Sequence, residues 1–412
     1  MKRRAVITGI GPITCIGHGR ENFWNAILAE KTGISRISSF DPRPFQVRCA
    51  GEILDWNPEE FFSPQRLKRL DRYAQFSVAS ARLALDDAGI GYSREQPQHR
   101  IGVSFGTALG GVCKAEDQHI RYLKKGLRGV NPMLAIQVFG GSAHSNIAIE
   151  FGFRGVGTTN SNSCASGTVS LGEALRYIRD DFADVIVAGG AEAPLSALTI
   201  GAFDIIKTMS RSDDPAFASR PFDRLRDGFV MGEGAASLIV EELEHARKRG
   251  AKIYAEVLGY SLNNDAFHMT APLPGGDSCI RAMWHALADA QLAPEQIDYI
   301  NAHASSTQLN DKTETMSIKE VFGKRARQIP VSGTKGYTAH PLGATGAIEA
   351  ALCALALDRQ WIPPTINYHN ADPECDLDIV PNHGRKAELE YVMSNSFGFG
   401  GINACVILGK LS

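Results

Sequence analysis

The sequence predicts an α/β fold built in layers, and three observations predict it. Strand-like and helix-like stretches alternate from end to end, the pattern that sets sheets between helices. At 412 residues the chain is long enough for two domains or one large layered body. Hydrophobic residues make up 44% and charged residues 21%, the balance of an ordinary globular protein.

Taken in order, short apolar runs bounded by glycine or polar residues mark buried strands at 4–8, 101–105, 184–188, 235–240, 254–259, 299–302, 391–394 and 404–408. Helical spacing marks helices at 66–88, closing at Gly89, and at 168–180, 278–291, 311–322 and 342–358. The opening MKRRAVITGIGPITCIG has a basic flank, but Gly9, Gly11 and Pro12 break its apolar stretch. It reads as a first strand and turn, not as a signal peptide. No window approaches about 18 uninterrupted apolar residues, so no membrane span is expected and the expected setting is cytoplasmic. No Pro/Ser-rich linker divides the chain. The basic stretch at 241–250 is the candidate seam, because 252–261 then starts a strand much as 2–9 does. Two similar halves are expected, 1–250 and 251–412.

Composition removes several function classes. A formal charge of −2 gives no reason to expect nucleic acid or an acidic membrane surface as partner. The eight cysteines form no CxxC pair and no zinc-like spacing. They read mostly as small buried apolar residues of a reducing compartment. A phosphate loop is absent, since no GxxxxGK[ST] order occurs. Gly9-x-Gly11 lacks the third glycine of a dinucleotide fingerprint.

Four motifs remain that can carry chemistry. In TTNSNSCASG, small polar residues lead into Cys164, and Val169, Leu171, Leu175 and Ile178 follow at helical spacing. That places the sulfur at a helix N-terminus, where free N–H groups and the dipole favour a thiolate and can hold an oxyanion. A buried structural cysteine at a tight turn is the other reading. In YINAHASST, His303 ends an apolar strand, where catalytic groups of α/β sheets collect, although a core histidine has the same look. In SGTKGYTAHPLGATG, Lys335 and His340 share a Gly/Thr-rich loop that runs into a helix bearing Glu349. Glu349 is either a solvated helix residue or a buried counter-charge for Lys335. In SNSFGFGGIN, Gly398 and Gly400 flank Phe399, which suits either a backbone approaching a ligand closely or a hairpin turn. Asp311 and Glu314, three apart at a helix start, read as a capping box with no catalytic role.

In this order, Cys164, His303, Lys335, His340 and the Phe/Gly loop resemble the β-ketoacyl-acyl-carrier-protein synthases of the synthase I/II type, closest to synthase II. The resemblance spans nearly the whole chain, from VITGIGPIT to SNSFGFGGIN. Thiolases, which need a second catalytic cysteine late in the chain, match less well. The synthase III type lacks the second histidine, and an inactive chain-length-factor subunit lacks the nucleophile.

The resemblance implies a thiolase-like fold: two similar βαβαβαββ-type halves in a five-layered α-β-α-β-α arrangement, as a homodimer. It implies acylation of Cys164 from a phosphopantetheine thioester, then decarboxylative condensation with malonyl-acyl-carrier protein. It assigns the oxyanion hole to the amides of Cys164 and Phe399, the gate to Phe399, and enolate stabilisation to His303 and His340. Lys335 becomes an electrostatic support, balanced by Glu349 or Glu314, with Asp311 nearby. Leu109 is expected in the acyl pocket, Ser305 and Thr307 on the pantetheine arm, and Asp265 and His268 on an entrance loop. Lys68, Arg69 and Lys207 fall where the family meets its carrier protein, although a solvated helix face reads the same way. No cofactor of the enzyme's own is implied.

The chain departs from the family at the site itself. Ala304 and Ala339 stand where the family usually carries glycine beside each histidine, Ile402 where it carries threonine, and Tyr337 where the side chain is usually smaller. These changes leave open a specialised type II polyketide or polyene pathway, with a chain-length-factor-like subunit as heterodimer partner.

Overall fold

The computed structural model of the protein describes residues 3–411. In chain order it contains β1 (Ala5–Thr14), α1 (Arg72–Ala88), β2 (Ile101–Gly106), α2 (Val112–Lys125), α3 (Ser142–Phe151), β3 (Gly157–Asn160), α4 (Ser166–Arg179), β4 (Val185–Glu192), α5 (Ala197–Ile205) and β5 (Gly234–Glu242). The chain continues with β6 (Ala255–Asn264), α6 (Asp277–Ala290), β7 (Tyr299–Asn301), α7 (Gln308–Phe322), β8 (Val331–Ser332), α8 (Thr345–Arg359), β9 (Tyr391–Gly398) and β10 (Ile402–Gly409).

The strands join in the order β8-β7-β9-β10-β6-β1-β5-β4-β2-β3. Outward from the β6–β1 junction, β1-β5-β4-β2-β3 repeats as β6-β10-β9-β7-β8. Leaving aside α2, α5, the helix Arg20–Leu28 and the shorter pieces, both halves run βαβαβαββ, a repeat visible in topology though faint in sequence. The junction is narrow: only Ala5, Val6 and Ile7 of β1 pair with Val257, Glu256 and Ala255 of β6.

Alternation along the strands explains the layers. In β4, Ile186 and Ala188 enter one core while Val185, Val187 and Ala191 enter another. In β10, Ala404, Val406 and Leu408 join the first core, and Cys405 and Ile407 a third. Strands buried on both faces read as continuous apolar runs, which is how they are found in sequence. The shared core holds α4 and α8 between the two half-sheets; α1 and α3 cover one outer face, and α6 and α7 the other. From Thr345 through Leu357, α8 is buried on every side, and its alanines let both sheets come close. Among the described residues, no helix is long and apolar enough to cross a membrane.

Two expectations about elements are corrected. β1 does not stop at Thr8 but continues through Gly9, Gly11 and Pro12 to Thr14, with a bulge between Ile7 and Gly9, and the expected turn follows at 15–16. The glycines are there because α1 presses on the strand: a Cβ on Gly11 would lie 2.2 Å from the Ser80 carbonyl oxygen, and one on Gly9 2.2 Å from that of Ala84. The expected helix at 66–88 is broken between the short turn Pro64–Leu67 and α1, whose N-cap is Asp71 and whose C-cap is Gly89 at φ 65°.

Candidate active site

β3 delivers the chain to a tight turn in which Ser163 takes φ 51°, and Cys164 follows one turn ahead of α4. Hydrogen bonds hold the turn: the Asn162 amide donates to Ser166 Oγ at 2.8 Å, and that hydroxyl donates to the Ser163 carbonyl at 2.8 Å. Cys164 is 6% exposed. Burial pushes its thiol above the ordinary value, while the Ser163 hydroxyl and the Phe399 amide oppose the shift. Cys164 stands at the helix start that the spacing predicts, and burial opposes the thiolate that the helix end favours.

His340 Nε2 lies 3.1 Å from Cys164 Sγ, and its Nδ1 lies 2.8 Å from Thr345 Oγ1. Backbone contacts pin the residue on both sides: its amide donates to the Val230 carbonyl at 2.7 Å, and Gly232 donates to its carbonyl at 3.1 Å. The His303 ring stands 5.4 Å from that of His340, edge to face. Burial, then the Lys335 charge, holds both imidazoles well below their ordinary pKa, so both are neutral.

A second group of buried charges supports His303. Glu314 accepts the His303 and Ala304 amides, each at 2.8 Å. Burial pushes its carboxyl up to about 7, with those amides opposing. Lys335 Nζ donates to the His303 carbonyl and to Glu349 Oε1 at 2.6 Å, with both side chains buried. Of the two readings of Glu349, the buried counter-charge is the one observed.

The capping-box reading of Asp311 and Glu314 is corrected. The N-cap of α7 is Thr307, whose side chain accepts from the Asn310 amide, and both acids lie fully buried inside the helix. Asp311 accepts the Phe222 amide at 2.9 Å and faces Arg226 at 3.6 Å. The residue spacing was right for a cap, but a hydroxyl four positions earlier takes that role.

These groups meet a cavity of about 530 Å³. Cys164, His303 and His340 line it, together with Leu109, Ser305, Thr307, Gly398, Phe399 and Gly400. Ser305 and Thr307 share a hydroxyl hydrogen bond of 2.9 Å. Of the two readings of the SNSFGFGGIN segment, the hairpin is observed between β9 and β10, and its tip faces the cavity. A Cβ on Gly398 would approach the Cys164 amide to 3.1 Å, so the loop passes directly over the Cys164 backbone. Phe399 stacks on Phe203 at 6.2 Å and meets Phe229 edge to face at 6.5 Å.

Not every expected residue arrives. Lys207 is exposed at the cavity rim, whereas Lys68 and Arg69 are exposed outside its lining. His268 is also outside the lining; its Nδ1 accepts the Thr270 and Ala271 amides, and Asp265, Met269 and Thr270 of the same loop face the cavity instead. Sequence reasoning missed Phe203 and Phe229, which wall the site, and Glu192, a buried acid ending an apolar strand. That last placement was a readable signal. Among the described residues, no cluster of three or more His, Cys, Asp or Glu is arranged to hold a metal.

Comparison with known proteins agrees with this geometry. Residues 2–246 match the family model "Beta-ketoacyl synthase, N-terminal domain", and residues 254–369 match "Beta-ketoacyl synthase, C-terminal domain". The chain is 42% identical over 410 residues to the "3-oxoacyl-[acyl-carrier-protein] synthase 2" of Synechocystis sp., covering 99% of this chain and 98% of that relative. Among solved structures it resembles "The ishigamide ketosynthase/chain length factor" at TM-score 0.93 and 36% identity, over 100% of both chains. It also resembles a type II PKS acyl-carrier protein in complex with its ketosynthase bound to the hexaketide, at TM-score 0.92, 35% identity and 100% of both chains. With a buried cysteine, two neutral histidines and end-to-end similarity of this order, the chain belongs to the beta-ketoacyl synthase family.

Proposed function

We propose that the protein condenses an acyl thioester with malonyl-acyl-carrier protein, releasing CO₂ and giving 3-oxoacyl-carrier protein in type II fatty acid chain elongation. One observation carries the reading: Cys164 Sγ sits 3.1 Å from His340 Nε2 at the wall of a cavity that His303 also lines.

The steps follow from the site. Cys164 Sγ attacks the thioester carbonyl, with His340 Nε2 as the nearest base for the thiol proton. The proton ends on the departing pantetheine sulfur. The amides of Cys164 and Phe399 receive the oxyanion. Malonyl-carrier protein then enters, its bond to the carboxylate breaks, and the electron pair moves to the thioester oxygen as an enolate. Neutral imidazole N–H groups of His303 and His340 stabilise that oxygen without placing a competing charge in the pocket. The Thr345 hydroxyl both donates and accepts, so it supports either tautomer of His340. The enolate carbon attacks the acyl-enzyme carbonyl, the carbon–sulfur bond breaks, and the Cys164 thiolate takes up a proton.

In this reading 1–250 supplies the nucleophile, and 251–412 supplies both histidines and Lys335. No cofactor of the enzyme's own takes part, since the substrates ride on the carrier protein's phosphopantetheine. Ser305 and Thr307 face that arm, Leu109 faces the acyl chain, and Phe399 gates the nucleophile. Lys207 at the rim suits an acidic carrier protein; Lys68 and Arg69 would extend that surface. His268 acts only through the loop it folds. The chain pairs with a second copy of itself, a reading supported by the open edge of β3 and by exposed Ile120, Leu123, Leu127 and Ile136. The neighbours described as an ishigamide ketosynthase/chain length factor and a type II PKS ketosynthase favour one second reading, a polyketide or polyene ketosynthase with a chain-length-factor-like partner.

Intact mass spectrometry tests the proposal. The protein is mixed with acyl-carrier proteins of several chain lengths and compared with Cys164→Ala. One acyl adduct on Cys164, absent from the variant, is expected. Acylation that survives in Cys164→Ala sinks the nucleophile, and an adduct formed only with polyketide intermediates moves the assignment to the second reading.

A further inference from the structure

Glu192 ends β4 with its side chain fully buried, and the condensing steps above do not use it. Its Oε1 accepts the Thr107 hydroxyl and the Leu109 amide, each at 3.0 Å. Its Oε2 accepts the Ala108 amide at 2.6 Å and the Gly343 amide at 3.0 Å. Ala108 and Leu109 are cavity wall, while Gly343 lies three residues beyond His340 in the turn that leads into α8. The two loops touch directly, since a Cβ on Gly343 would fall 2.4 Å from the Ala108 nitrogen. Among the described residues no Lys, Arg or His pairs with this carboxylate. A buried charge held only by amides and a hydroxyl persists only while all of those donors stay in place.

From this geometry we infer that Glu192 is a positioning residue that fixes the acyl-pocket wall and the His340 loop as one unit, and so sets acyl-chain selection and His340 placement together. The inference rests on the condensing reading. Four donors from two loops converge on one acid, so neither loop can shift without breaking hydrogen bonds that serve the other. A glutamine cannot replace the acid, because in either orientation its amide N–H₂ meets at least one backbone N–H.

The test uses full-length Glu192→Gln and wild type. Acylation of Cys164 is measured as kcat and KM with octanoyl- and hexadecanoyl-carrier protein, and CO₂ release is measured from malonyl-carrier protein. The ratio of kcat/KM between the two chain lengths should change by about tenfold, and CO₂ release should fall by a similar factor. A ratio of rates on folded enzyme does not move when stability alone changes. If only one of the two activities responds, or neither, the coupling is refuted. Should Glu192→Gln fail to fold, Thr107→Val removes one donor, and the same paired change at about threefold is expected. Wild type that accepts no acyl group overturns the condensing reading itself and this inference with it. Wild type that is acylated beside a variant with an unchanged ratio overturns the role of Glu192 alone.

Discussion

In the proposed condensation His340 serves both acylation and decarboxylation, and its protonation has a measurable consequence. Folded, it stays neutral well below its ordinary pKa because it is buried beside Lys335. Unfolded, it takes up a proton near pH 6.5. The unfolded chain therefore binds more protons below that pH, and the stability tied to His340 is lost as the pH falls. His340→Asn removes this dependence, while the raised carboxyls of Glu192 and Glu314 titrate in both proteins and cancel. In urea unfolding, the wild-type stability relative to the variant should fall by up to about 1.4 kcal/mol per unit below about pH 6.5. Parallel curves would mean that the imidazole titrates normally in the fold. At this scale Cys164, His303, Lys335 and His340 stood out in short runs of unusual composition, each with a structural reading as well, and only the order of the motifs joined them into one candidate site. Phe203 and Phe229 did not, because ordinary helix and loop residues become part of the site only when distant segments fold against it. Asp311 and Glu314 misled for a related reason: their spacing satisfies a cap, and only burial reveals their other partners.

At the scale of the element, apolar periodicity located the strands but shortened them. β4 and β9 continue into Gly189–Glu192 and Asn395–Gly398, where small and polar residues replace the apolar signal: Gly189 and Gly190 pack against neighbouring backbone, and Phe397 and Gly398 line the cavity. β3 and β8 escaped notice, since GTTN and VS carry too few apolar side chains to form a pattern. Gly11 shows what the pattern omits, for in β1 the missing side chain is the packing instruction. Gly11→Ala should lower stability by about 3 kcal/mol or more, because the added methyl meets α1 backbone that cannot rotate away. An unchanged urea midpoint would show that α1 can retreat. The histidine loops carry a related tension. Ala339 has φ 57° and ψ −155°, a region nearly reserved for glycine, and Ala304 has φ 38°. Their methyls stand against backbone left open by Gly51 and Gly333, respectively.

For the whole molecule, the alternation of strands and helices correctly gave the layered class, and the resemblance gave its particular form. The similarity of the halves is carried by strand order rather than by residues, which is why it was faint in sequence. The open edge of β3 and the exposed apolar side of α2 are the features that a second copy would cover. Leu123, 70% exposed on α2, provides the probe. Leu123→Asp should shift sedimentation from dimer toward monomer at micromolar protein, since a charge in a buried interface without a partner is costly. A wild type that sediments as a monomer, or a variant that remains a dimer, places the contact elsewhere.

The narrow seam between β1 and β6 has a consequence for how the protein comes into being. Cys164 lies just ahead of α4, but His303 and His340, and the α8, β9 and β10 that cover the shared core, come more than a hundred residues later in the chain. A growing chain therefore displays Cys164 long before it has His340 beside it or Phe399 above it. Three residue pairs across the seam cannot hold the halves in register by themselves. The central helices must dock before either half can dry its inner face, a long-range step of the kind that slows folding. A chain that stops before His340 therefore carries the Cys164 thiol without the cavity that surrounds it in the full fold.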